Sequence, residues 1–265
     1  MPSSLPTFGK PPIDEVVVGV QFEPLPKFRA AHLGIFWNRI RHKYPDLEDH
    51  PPLPLQFERE MATQIPSISF GSGVIVPRSW FKTSAGNELI QVQSDRFLRN
   101  WRQTTEIKTY PRFPYLIERF DESWSEFKAF LANEGLGEPN MNQCELSYIN
   151  YLEPGQGWLD YSELPKVFKI LKELPKGFLP SPELFGWESR YKLPEGNGRL
   201  HIVAQPALRA RDLKLVLSLN LTARGFPGTS SEAGVLAWFG LAHEWIVRGF
   251  EELTHGTMHD FWEKQ

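Results

Sequence analysis

The stretch "ELIQVQSDRFLRNWRQ" (residues 88–103) decides how this chain is read. It breaks at Ser94-Asp95, a pair suited to a turn, and so reads as a β-hairpin. In a strand over 96–102, Phe97, Arg99 and Trp101 share one side, while Arg96, Leu98 and Asn100 share the other. Either side mixes polar with apolar groups. Gln91 and Gln93 stand where Val or Thr is the usual filling of a strand. Such strands suit a sheet whose second face is a groove. The competing reading is that these side chains satisfy buried backbone where two parts of the fold meet.

Working outward, "IDEVVVGVQFEP" reads as a strand over 14–22, and helical spacing from Phe28 to Ile40 ends at Pro45. A proline-rich connection, "DHPPLPLQ", follows, then the strand-like pieces "SISF", "GVIVPRSWFKT", "NELIQVQ" and "RFLRNWRQ". The run after "YPRFP" is a helix with Ile117, Phe120, Trp124, Phe127 and Leu131, closed by Gly135 and Gly137. The order then starts again. "NQCELSYINYLEP" is a strand, "LPKVFKILKEL" a short helix, and two strands flank "PEGNG". "LKLVLSLNLTARG" is another strand, and a helix covers about 231–254, with Thr229 and Glu232 placed for a capping box. A last short helix begins near Thr257.

The order strand, helix, strands, helix thus occurs twice, with a weak letter match between "FEPLPKF" and "LEP" plus "ELPKVF". The expected fold class is α+β: an extended lead-in over 1–12, a first unit over 13–137 and a second over 138–265. Two units pairing edge to edge make one long twisted antiparallel sheet with the helices on one face. That layout resembles, in topology only, the duplicated saddle of the TATA-box-binding protein or a pair of ferredoxin-like units. The sheet twist leaves the other face concave and available.

Composition narrows the class. With 265 residues, 41% hydrophobic and 13% aromatic, the chain has ample apolar surface for a core and is not a disordered protein. A net charge of −3 leaves no overall cation excess to drive nucleic-acid binding. One cysteine allows no internal disulfide and points to a reducing compartment. The opening residues lack a signal-peptide pattern, and no apolar run reaches a membrane span. The expectation is a soluble cytoplasmic protein.

Residues that carry chemistry are scattered. His255 and His259 stand four apart, but Gly256 between them argues against one unbroken helix, so a solvated helix end is favoured over a metal site. Cys144, alone in a strand, reads as a small buried hydrophobe. "GSG" (71–73) and "GNG" (196–198) lack a phosphate-loop lysine and read as turns. In "CELSYIN", Cys144, Leu146, Tyr148 and Asn150 point one way, while Glu145 and Ser147 point the other. Arg209, Arg211 and Lys214 form a basic tip, read as a solvated turn.

The segments "PPIDEV", "QVQSDRFLRNW", "YPRFPYLIERF", "CELSYIN" and "AHEWIVRGFEELTHGTMHDFW", in that order, resemble a sporadically distributed, uncharacterised family of prokaryotic proteins. The resemblance covers nearly the whole chain. Its patchy distribution implies a place in mobile islands such as phage-defence or toxin–antitoxin loci. With no catalytic constellation in view, the expectation leans away from an enzyme, with no cofactor and no metal. The expected role is recognition of a partner protein or peptide, or of a second copy, through Gln91, Gln93, Arg96, Arg99, Asn100, Trp101, Glu145 and Tyr148. The rival readings are a metal-dependent hydrolase or nuclease using Glu145, Asp95 and a histidine, and nucleic-acid binding on the concave face.

Overall fold

The computed structural model describes residues 4–54, 58, 76–172, 177–226, 228–229 and 231–265. The expected "SISF" strand, the "GSG" turn and the start of "GVIVPRSWFKT" lie outside them. The elements are β1 (Ile13–Phe22), α1 (Ala30–Ile40), β2 (Asp46–His50), β3 (Arg78–Lys82), β4 (Glu88–Gln93), β5 (Arg96–Arg102) and α2 (Phe113–Asn133). They continue with β6 (Met141–Leu152), α3 (Leu164–Val167), β7 (Trp187–Lys192), β8 (Arg199–Arg209), β9 (Lys214–Gly225), α4 (Glu232–Leu253) and α5 (Gly256–Phe261). Among the described residues nine strands form one sheet, in the order β2-β3-β4-β5-β1-β6-β9-β8-β7. Every pairing is antiparallel, so the protein is α+β.

β1 and β6 pair at the centre, with Val18 opposite Leu146. β1 is buried continuously from Val16 to Phe22, as its unbroken apolar run requires. Gly19 is needed there for space: a Cβ at this position lies 2.1 Å from Leu98 Cδ2 on β5. On the even-numbered side, Val16, Val18, Val20 and Phe22 join the main core.

α2 buries Leu116, Phe120, Trp124, Phe127 and Leu131, a stripe at helical spacing. Phe127 stacks on Phe97 of β5 at 5.2 Å and meets Phe36 of α1 edge-on at 5.2 Å. Phe120 touches Phe239 of α4 at 5.2 Å, which joins the two long helices. Edge-to-face and offset ring pairs of this kind add about 0.5–1.5 kcal/mol each beyond the area they bury.

Three sequence expectations change. The connection after α1 begins with a strand, because Asp46–His50 pairs along β3. Its charged residues suit an edge strand, and Glu48 pairs with Lys82. The helix expected through "LPKVFKILKEL" stops at Val167, since Phe168 turns extended, bridges to Thr254 and packs edge-on against Trp187 at 5.8 Å. Tertiary pairing here overrides local propensity. The cap of α4 is Ser231, whose hydroxyl accepts from the Gly234 N–H, while Thr229 accepts from the Ser231 N–H. No helix among the described residues is long and apolar enough to cross a membrane.

Candidate functional site

Strand alternation and register give the sheet a second side of different chemistry. Glu15, Val17, Gly19 and Gln21 of β1 point away from the aromatic core, and the pairings carry this side outward in both directions. On β5 and β4 it holds Arg96, Leu98, Asn100, Gln91 and Gln93. On β6, β9 and β8 it holds Gln143, Glu145, Ser147, Thr222, Arg224, Arg199 and His201.

These side chains form networks. Gln91 donates to Asn100 Oδ1 at 2.8 Å, and Asn100 donates to Glu15 Oε1 at 2.6 Å. Burial pushes the Glu15 carboxyl above its ordinary value, and the Asn100 bond opposes that. Arg96 donates to Gln21 Oε1 at 2.5 Å, and Gln93 donates to Asp95 Oδ1 at 2.6 Å. Arg224 donates to Glu145 Oε2 at 2.5 Å, and Ser147 bonds Thr222 at 2.9 Å. Gln91, Gln93, Arg96 and Asn100 are each buried. Arg96 Nε is buried without a hydrogen bond among the described residues, as are the neighbouring Arg78 Nε and Trp80 Nε1.

The chain itself lies against this side. Gln93 accepts from the Leu53 N–H at 2.9 Å and donates to the Leu53 carbonyl at 3.2 Å. Arg96 donates to the Pro54 carbonyl at 3.1 Å. The Glu58 N–H donates to Gln143 Oε1 at 3.0 Å. The Glu58 carboxylate meets His201 Nε2 at 2.5 Å and accepts from Arg199 Nη1 at 3.3 Å. Burial alone raises the Glu58 carboxyl; the bonds from His201 and Arg199 and the charge of Arg224 outweigh it and hold the group below its ordinary range.

The residues expected to act together divide between the two sides. Gln91, Gln93, Arg96, Asn100 and Glu145 lie on the polar side. Arg99, Trp101 and Tyr148 face the helices. Arg99 donates to Glu88 at 2.5 Å and to the Tyr44 hydroxyl at 2.8 Å, an internal ion pair with a phenolic partner. Trp101 sits edge-on to Tyr110 at 5.7 Å, and Tyr148 bonds Tyr110 and His243. The basic tip is neutralised locally: Arg209 pairs with Asp212 and Glu153, Arg211 with Asp14, and Lys214 with Glu153. Burial pushes the Cys144 thiol up to about 12. His259 is buried and bonds Thr254. Among the described residues no group of three or more His, Cys, Asp or Glu is placed to hold a metal ion.

Gln143, Arg199, His201, Arg224 and Glu58 were missed in the sequence reading. The signal lay in the alternation of "NQCELS", "TARG" and "RLHI", whose polar members fall on one side once the register is known. No protein-family model matches this chain, and a search of curated proteins finds no match.

Proposed function

We propose that the polar side of the sheet is a recognition surface for an extended polypeptide segment that carries a carboxylate. One observation carries the reading. Gln93 both accepts from and donates to the main chain of Leu53, as a side-chain amide grips any peptide backbone, and Glu58 supplies a carboxylate to Arg199 and His201. The chain's own residues are held there as a ligand would be: backbone bonds for affinity, one charged pocket for selectivity. A polyanion fits less well, because Glu15, Glu58 and Glu145 share this side with the arginines.

The same reading includes a duplication. What supports it is the strand order outward from the central pair, β1-β5-β4-β3 on one flank and β6-β9-β8-β7 on the other, with α2 and α4 each following its last strand and covering the same side. The helix-free side is then the surface for the partner.

The test is a peptide supplied in trans. A fluorescent synthetic peptide of residues 51–60, "PPLPLQFERE", is titrated against the full chain carrying Glu58→Gln, which keeps size and removes the competing charge. Anisotropy is expected to show saturable binding, about tenfold tighter than to the unsubstituted chain. Adding Arg199→Gln abolishes the gain. Equal binding of this peptide and one with Gln in place of its first Glu, the counterpart of Glu58, or no binding to the Glu58→Gln chain, overturns the proposal.

A further inference from the structure

On the opposite side of the sheet, residues 5–13, the start of α2 and α4 from His243 to Phe250 line a half-open cavity of about 440 Å³. Cavities of ~300–1,000 Å³ with apolar walls and a few convergent polar groups are the kind that hold small molecules. Phe8, Phe113, Ile246, Val247 and Phe250 form apolar wall. Three polar side chains on it form a row. Tyr110 Oη lies 2.8 Å from Tyr148 Oη, and Tyr148 Oη lies 3.0 Å from His243 Nδ1. The imidazole stacks on Phe113 at 4.0 Å, nearly parallel. Burial lowers its pKa to about 4, so the ring is neutral at neutral pH and carries one N–H.

The row runs in either of two senses. With Tyr148 donating to Nδ1, the ring proton sits on Nε2, which has no hydrogen-bond partner among the described residues. With Nδ1–H donating to Tyr148, Nε2 becomes an acceptor. The row therefore adapts to a donor or an acceptor on a guest. Arg112, at the rim, supplies a cation. Its guanidinium is exposed, 5.7 Å from the Tyr110 ring centre, and donates to the Phe8 carbonyl at 3.0 Å. The Arg112 backbone has φ 74°, a region rarely used by non-glycine residues. Such local strain persists where surrounding structure enforces it.

We propose that this cavity binds a small apolar carboxylic acid, its body between Phe8, Phe113 and Phe250, its carboxylate at Arg112, and its orientation set by the Tyr110–Tyr148–His243 row. Nothing in this rests on the polar side of the sheet.

Isothermal titration of the full chain with 2-naphthoate, and with the neutral 2-naphthamide, tests it. One saturable site is expected, about tenfold tighter for the acid than for the amide. Arg112→Gln removes that preference. Val247→Trp, at a half-buried wall position, fills the space and abolishes binding of both. Tyr110→Phe preserves volume and weakens both probes, which keeps the test valid if the tryptophan variant misfolds. No saturable heat with naphthoate, equal affinity for acid and amide, or binding unchanged in Arg112→Gln and Tyr110→Phe overturns the proposal.

Discussion

Protonation of His243 sets a measurable pH dependence of stability. Burial holds its folded-state pKa at about 4, against an ordinary value of 6.5. No neighbouring charge contributes to that shift. Above pH 6.5 neither the folded nor the unfolded imidazole is protonated, and the group adds no slope. Between 6.5 and 4 the unfolded chain binds a proton that the folded chain refuses, so stability falls as pH falls. At about 1.4 kcal/mol for each pH unit, the interval from 6.5 to about 4 amounts to about 3 kcal/mol. Relaxation around the half-buried ring trims this toward about 2 kcal/mol. The perturbation is His243→Gln, which cannot titrate. The assay is urea unfolding of both proteins at half-unit steps from pH 7.5 to 4, with the two free-energy profiles subtracted. Other carboxylates and histidines cancel in the difference. The variant starts less stable, having lost the ring stacked on Phe113, and the gap narrows below pH 6.5. A difference that stays flat over the whole range refutes the assignment of a neutral, desolvated imidazole.

Asn100→Ala strands both the Gln91 amide and the Glu15 carboxylate, and a loss of about 1–3 kcal/mol is expected in chemical denaturation; an unchanged midpoint counts against the network. Gly19→Val drives a side chain into Leu98 and the β5 backbone, with an expected cost of about 1–3 kcal/mol or more. Its thermal midpoint should drop by several degrees, and a midpoint equal to that of the parent contradicts the close approach. The Cys144 thiol, raised to about 12 and fully buried, should resist a disulfide-exchange reagent at pH 8 until denaturant is added. Immediate stoichiometric labelling of the folded chain argues the opposite.

Periodicity made most elements legible. The central strands, the 88–102 hairpin and both long helices follow directly from alternation or helical spacing. β2 escaped because "DLEDH" has no apolar alternation and exists only through pairing with β3. α3 was overdrawn because the bridge from Phe168 to Thr254 joins residues far apart in sequence. In the candidate site, alternation already separated Arg96 and Asn100 from Arg99 and Trp101. The four do not share one surface, because successive residues of β5 point to opposite sides of the sheet. Arg199, His201 and Glu58 were out of reach, since only the register of β8 on β9 and the return of Glu58 across the sheet bring them together.

The innermost ladder joins residues 13–22 to residues 141–152. A ribosome must therefore release more than half the polypeptide before the middle of the sheet can close. Until then the unmatched border of β1 is a sticky template for other nascent chains. Long-range pairing of this sort is slow to form, so the closing of the β1–β6 ladder is expected to limit the rate at which the sheet assembles.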